Sequence, residues 1–411
     1  MNYLPFSLRD FSDKSIADFS SVIHAAPSKK IALIVQGGGQ RGIFSAGVLD
    51  SFLDHQFDPF ELYIGTSAGA LNLSSFISRQ PRFGYHFIRD VSMNDQFFNL
   101  YKYLSKQQPM NLDWALQQVS PSGLYPLDVV TAHKTLLHRT ALACATRKDT
   151  LQDYYLPMYQ QDWREVLLAS CAIPLLYNQP VNMNDLQWVD GGVSAAIPVK
   201  EAWRRGADLV VVIRTEPLEN SDKDSSDKDS SDNHERGIFD DWRENVETQL
   251  PYYIDKLSLN ESVDKIKNIH QELSQRFEQW RQHYWEDEDS NEDNTAIKSK
   301  VLTRKSWFSQ INIERLLQLT GQGTNSEILE MLARYHRTYQ DVNNFLVNPP
   351  QGLQVIQIAP EKTLNSSALL SSYEDLELDY QQGKQIGEQF VTSFSQLLNQ
   401  KTSLMQHLRD K

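Results

Sequence analysis

A chain of 411 residues, 40% of them hydrophobic, is long enough to bury a large core, as one elaborated domain or as two to three domains. Its formal net charge of −13, with no lysine- or arginine-rich run, argues against nucleic acid as a partner and against general attraction to an anionic membrane surface. Two cysteines, Cys144 and Cys171, are too few for a disulfide framework; no CxxC spacing suggests a metal, and no apolar run is long enough to span a bilayer.

The opening MNYLPFSLRDFSDKS has neither the basic start nor the continuous apolar stretch of a signal peptide, so the expected setting is cytoplasmic and reducing, with membrane contact from the side. Residues 1–29 read as an extension. Then KIALIVQGGG, a β-branched apolar run closed by glycines, reads as a buried strand. In RGIFSAGVLDSFLDH, Ile43, Ala46, Val48, Leu49, Phe52 and Leu53 recur at helical spacing. FELYIG is a second strand and AGALNLSSFISR a second helix, and strand–helix alternation implies a mainly parallel sheet in a three-layer α/β/α sandwich. Further along, DVVTAHKTLLHRTA and QQDWREVLLASCA look helical, with Cys171 expected as a small core residue, while LQWVDGG and DLVVVIRTEP read as strands.

The tract ENSDKDSSDKDSSDNHE buries too little apolar surface to offset its ordering entropy and reads as disordered. Helical patterns follow, rich in aromatics (Tyr252, Tyr253, Trp280, Tyr284, Trp285) that suit helix packing better than lipid contact. Strand character resumes at GLQVIQIAP, and DLELDYQQGKQIGEQFVTSFSQLL closes the chain as a helix. The expected organisation is an extension at 1–29, an α/β core at 30–216, an acidic, partly disordered and mainly helical insertion at 217–351, and a last core strand with its helix at 352–411.

Three strands end in glycine-marked turns, at the strand ends where open α/β sheets bind ligands. In the first, Gly37-Gly38-Gly39-Gln40-Arg41-Gly42, bare backbone N–H groups precede a helix N-terminus and suit an anion, either a phosphate or a transition-state oxyanion. Gly37, Gly39 and Gly42 also fit the dinucleotide pattern GxGxxG, but the acidic residue that pattern wants at the end of the next strand is absent; Gly65-Thr66-Ser67 stands there instead. No Gly-Lys-Ser/Thr follows, which excludes a Walker loop. In the second turn, Gly65-Thr66-Ser67-Ala68-Gly69 is a GxSxG at a strand–helix junction: flanking glycines clear the space around a sharp turn and leave Ser67 exposed as a nucleophile. The third is Asp190-Gly191-Gly192. A serine needs a base, and none of the ten histidines falls at a strand-end turn, so Asp190 is the best-placed acceptor; the plainer alternative is that Asp190 only shapes the turn.

Taken together and in this order, GGGQRG, GTSAG and DGG, with ASCAIP between the last two, resemble the patatin-like phospholipase family of bacterial type, over about residues 31–217 and more weakly 352–398. The resemblance implies a lipid acyl hydrolase that works through a Ser–Asp dyad without a catalytic histidine, metal or cofactor. Carried over by position, Ser67 is the nucleophile, Asp190 the proton acceptor, and Gly37, Gly38 and Gly39 the oxyanion hole. Arg41 supports that loop, and Gly42, Gly65, Gly69, Gly191 and Gly192 are motif residues. The implied substrates are fatty-acyl esters of phospholipids or lysophospholipids. A soluble-ester esterase or thioesterase, a dinucleotide-dependent oxidoreductase and an interaction protein that acts through its insertion are the alternatives. The sequence departs from the family in ending its third motif in Gly192 rather than alanine, and in its long insertion, which suits a lid, a partner-binding module or a spacer.

Overall fold

The computed structural model describes residues 3–6, 30–99, 102, 107–160, 162–174, 176–218 and 326–409. By contacts the chain forms two units, 1–242 together with 331–411, and 243–330. The acidic tract, the aromatics singled out above and most of the second unit lie outside the described residues.

The strands of the first unit are β1 (Tyr3–Phe6), β2 (Ile31–Val35), β3 (Leu62–Thr66), β4 (Thr140–Arg147), β5 (Gln152–Pro157), β6 (Val181–Met183), β7 (Leu186–Asp190), β8 (Leu209–Ile213) and β9 (Gln354–Ile358). They form one sheet in the order β1-β9-β8-β2-β3-β4-β7-β6, with β5 paired to β4. From β1 to β4 every neighbour is parallel, whereas β5, β7 and β6 run antiparallel to their partners. Thus Tyr3–Phe6, within the stretch expected to be an extension, is an edge strand on β9. The helices that frame the sheet are α1 (Gly42–Asp54), α2 (Ala68–Ile77), α3 (Val129–Thr135), α4 (Trp163–Cys171), α5 (Val199–Arg204), α6 (Ser326–Val347) and α7 (Tyr373–Arg409).

Alternation within the central strands explains the three layers. Ala32, Ile34, Leu62, Ile64, Val210, Val212 and Val355 pack with Val199 and Ala202 of α5 and with Val342 and Leu346 of α6. The opposite face carries Tyr63, whose ring lies 6.2 Å from that of Phe76 on α2. Strands covered on both faces have no need of polar alternation, which is why they read as unbroken apolar runs. Helix α7 crosses α1 on this second side: Phe390 meets Phe52 at 5.7 Å between ring centroids, and Tyr380 donates to Asp50 Oδ2 at 2.8 Å.

One expectation fails locally. The helix read over DVVTAHKTLLHRTA stops at Thr135, and Thr140–Arg147 is a strand. Its sequence, TALACATR, is mostly small residues with little β-branching, so propensity carries no strand signal; burial between β3 and β7 decides the matter.

Candidate active site

The register of β4 brings the second and third turns together. Thr66, the last residue of β3, lies opposite Cys144, and Asp190, the last residue of β7, lies opposite Ala145 on the other side of the same strand. Ser67 and Asp190 therefore leave strands on either side of β4 at nearly the same level.

Ser67 has φ 53° and ψ −125°, a left-handed conformation that costs a non-glycine residue about 1–3 kcal/mol. Surrounding contacts hold it there. Its N–H donates to Ser170 Oγ at 2.9 Å, and Ser170 Oγ donates in turn to the carbonyl of Cys144 at 2.6 Å. The Ser67 carbonyl accepts from the N–H of Ala70 at 2.9 Å and starts α2. The turn is tight enough that a Cβ on Gly69 would collide with the carbonyl of Val35, and one on Gly65 would lie 2.6 Å from the Ala70 nitrogen. The flanking glycines thus answer a steric requirement, and Ser67 lines a cavity.

Asp190 is 7% exposed. Its Oδ1 accepts from the N–H of Gly192 at 2.6 Å, and its own N–H donates to Ala172 O at 2.9 Å. Oδ2 is buried without a hydrogen-bond partner. Burial pushes the carboxyl up to about 6, against the opposing pull of the nearby Ser67 hydroxyl and the Gly192 N–H. The Ser67 hydroxyl thus lies near the carboxylate without making a hydrogen bond to Oδ2. Gly191 packs on β4, donating its N–H to Ser170 O at 3.2 Å, and a Cβ on Gly192 would lie 2.8 Å from Asp190 Oδ1. The glycine that departs from the family motif therefore stands against the carboxylate itself.

In the first turn the N–H of Gly37 donates to Ala196 O at 3.3 Å. The N–H groups of Gly38 and Gly39 meet no partner among the described residues. Thr215 Oγ1 donates to Gly37 O at 3.0 Å and fixes the turn from β8. Arg41 is buried and pairs with Glu216 at 3.3 Å, and Gly42 opens α1, its carbonyl accepting from Asn72 Nδ2 at 2.7 Å. Both contacts brace the loop rather than point into the cavity.

The cavity beside Ser67 has a volume of about 800 Å³, mouth included. Among the described residues no charged one lines it; Gln40, Ser67 and Ser92 are polar side chains among aliphatic and aromatic ones. Four contributors escaped the sequence reading. Ser170 was visible only as part of ASCAIP. Cys171, expected in the core, lines the cavity next to Ser67, and burial drives its thiol well above the ordinary range. Ala368 and Leu369 line it from far along the chain and carry no motif. Among the described residues no histidine lines the cavity.

A family model described as patatin-like phospholipase matches residues 33–203, and one described as a domain of unknown function (DUF6363) matches 325–399. Over 381 residues, 92% of this chain and 82% of the relative, the sequence is 30% identical to the protein described as "Uncharacterized protein YjjU" of Escherichia coli (strain K12). Among solved structures, VipD from Legionella pneumophila aligns with a TM-score of 0.37 and 11% identity, over 90% of this chain and 67% of that one. The first match sets aside the dinucleotide reading of the glycine turn.

Proposed function

Because this chain belongs to the patatin-like phospholipase family, a family of lipid acyl hydrolases, we propose that Ser67 and Asp190 form its catalytic dyad and that it cleaves fatty-acyl esters of phospholipids or lysophospholipids. The observation that carries this reading is the unpartnered Oδ2 of a buried aspartate beside a strained serine, at the mouth of an uncharged apolar cavity.

In this mechanism the ester carbonyl lies over Ser67 with its oxygen toward the N–H groups of Gly38 and Gly39. Asp190 Oδ2 takes the hydroxyl proton as Ser67 Oγ attacks the carbonyl carbon. The negative oxygen that forms is held by the two amides; losing one such donor costs about 10²–10³ in rate. Collapse breaks the ester bond, and the proton on Asp190 passes to the departing alcohol. Water then attacks the acyl-serine, gives its proton to Asp190, and the fatty acid leaves as the proton returns to Ser67. The strained backbone keeps the hydroxyl raised at the helix start, so little reorganisation remains for the transition state.

The cavity argues for an acyl chain over a polar ligand, because each buried methylene contributes about 0.8 kcal/mol of transfer free energy. With no charged side chain in the wall, the head group stays at the mouth. Membrane contact from the side would deliver such a substrate; no helix among the described residues is long and apolar enough to cross a bilayer.

A fluorophosphonate probe followed by peptide mapping tests the dyad, and fatty-acid release from phosphatidylcholine and lysophosphatidylcholine tests the substrate. Labelling at Ser67, lost in Ser67→Ala and suppressed in Asp190→Asn, is the expected result. Folded wild-type protein that resists the probe and releases no fatty acid refutes the reading. Turnover of short soluble esters or thioesters in preference to both lipids would move the assignment to a soluble acyl esterase.

A further inference from the structure

The region matched only by a domain of unknown function returns to the cavity. Between β9 and α7 the chain forms a loop whose Ala368 and Leu369 are buried and line the same cavity as Ser67. Ala368 O accepts from the Gln40 N–H at 2.9 Å, and the Ser371 N–H donates to Gln40 Oε1 at 2.9 Å. From its other end the Gln40 amide donates to Ser92 Oγ at 3.2 Å and Ser92 O at 3.3 Å, on the opposite wall. Gln40 directly follows the two open amides, and its side chain is 3% exposed. The fit is close at Gly39 as well: this residue has φ +57°, and a Cβ there would collide with the Ala368 carbonyl.

The loop is shaped before any ligand reaches it. Asp379 of α7 is fully buried and accepts from the Asn365 N–H at 3.1 Å, Asn365 Nδ2 at 2.8 Å, the Ser366 N–H at 2.6 Å and Ser366 Oγ at 2.5 Å. Leu370 sits at φ +60°, a conformation that persists in a leucine only where its surroundings hold it. A fully bonded buried carboxylate and a left-handed leucine within a few residues of the cavity mark a rigid wall rather than a passing connection.

We propose that the 364–372 segment is a working wall of the active site. Leu369 and Ala368 set the length of acyl chain accepted. Gln40, clamped between Ala368, Ser371 and Ser92, is a positioning residue that holds the Gly38 and Gly39 amides toward the substrate oxygen. The function of this C-terminal region is then to complete the hydrolase site. The inference rests on the reading in which Ser67 attacks an acyl ester at those amides.

The test uses full-length protein and p-nitrophenyl esters from butyrate to palmitate, with wild-type labelling at Ser67 as the first arm. Leu369→Ala should move the preferred acyl length upward and Leu369→Trp downward, each changing the palmitate-to-butyrate ratio of kcat/KM about tenfold. Gln40→Met should lower kcat about 10- to 100-fold with KM within about twofold, because small displacements of a reacting geometry cost that much; thermal melting verifies that the variant folds. Wild-type protein that is neither labelled nor active defeats the dyad itself. Active, labelled wild type whose two Leu369 variants both keep the parent length profile overturns the wall alone. So does a folded Gln40→Met with unaltered kcat, and if that variant does not fold the length profiles decide.

Discussion

Asp50 and Asp190 are both buried carboxyls, and burial raises each to about 6. Their surroundings part company from there. At the α1–α7 crossing, Asp50 Oδ1 accepts from the Arg82 N–H at 3.0 Å and Oδ2 from the Tyr380 hydroxyl at 2.8 Å. At the ends of β3 and β7, Asp190 satisfies one oxygen on Gly192 and leaves the other bare beside Ser67. A carboxylate with both oxygens hydrogen-bonded joins two helices. The Asp190 carboxylate keeps one oxygen without a hydrogen bond, with the Ser67 hydroxyl close by. The same desolvation thus acts on both carboxyls, and hydrogen-bond completeness tells them apart; under the proposed dyad, the incomplete one is the proton acceptor.

The largest expected effect tests that contrast directly. Asp190→Asn should lower ester turnover by about 10³–10⁴. It should also raise the melting temperature at pH 8. The native carboxyl titrates near 6 against 3.8 for the free group, so the native state holds its proton more tightly; stability contributed by the neutral form is present below about pH 4 and is lost as pH rises through 6. Removing the buried charge restores at most about 3 kcal/mol. Loss of both activity and stability in this variant would break the contrast.

Asp50→Ala should do the reverse, leaving turnover per folded molecule unchanged while costing about 1–3 kcal/mol for each orphaned donor, measured by denaturant unfolding. A smaller effect lies in pH: kcat/KM for a soluble ester should rise with pH through an apparent pKa of about 6, as Asp190 loses its proton and becomes able to accept that of Ser67. Asp50→Asn should leave that midpoint in place. The finest test is Ser170→Ala, which removes the acceptor of the Ser67 N–H; about a tenfold fall in kcat is expected, read by burst-phase kinetics.

The sequence carried the residues of the turns well because their requirement is local. A residue raised on a strained turn needs bare backbone on both sides, and that need appears as glycines within a few positions of Ser67. The central apolar strands were legible for the same reason, since burial on both faces leaves unbroken runs. What escaped depends on distant partners. Strand β4 was hidden in small residues whose role is to fit between β3 and β7. The direction of β7 cannot be read from LQWVD, since parallel and antiparallel neighbours differ in connection rather than in composition. The Gln40–Ser371 bond joins residues 331 positions apart, and nothing in SSALLSS announces that it faces a glycine turn.

Sheet order has a further consequence for how this molecule is made. β9 sits between β1 and β8, so the edge of the sheet stays open until residue 358 has been synthesised, and loop and helix α7 emerge later still. While the ribosome is still at work, the nascent chain already holds Ser67 but has no partner for the first strand, and Gln40 lacks its Ala368 and Ser371 partners. Long-range closure of this kind folds slowly. It also means that the serine meets its complete surroundings only after the 364–372 segment has been added to the chain.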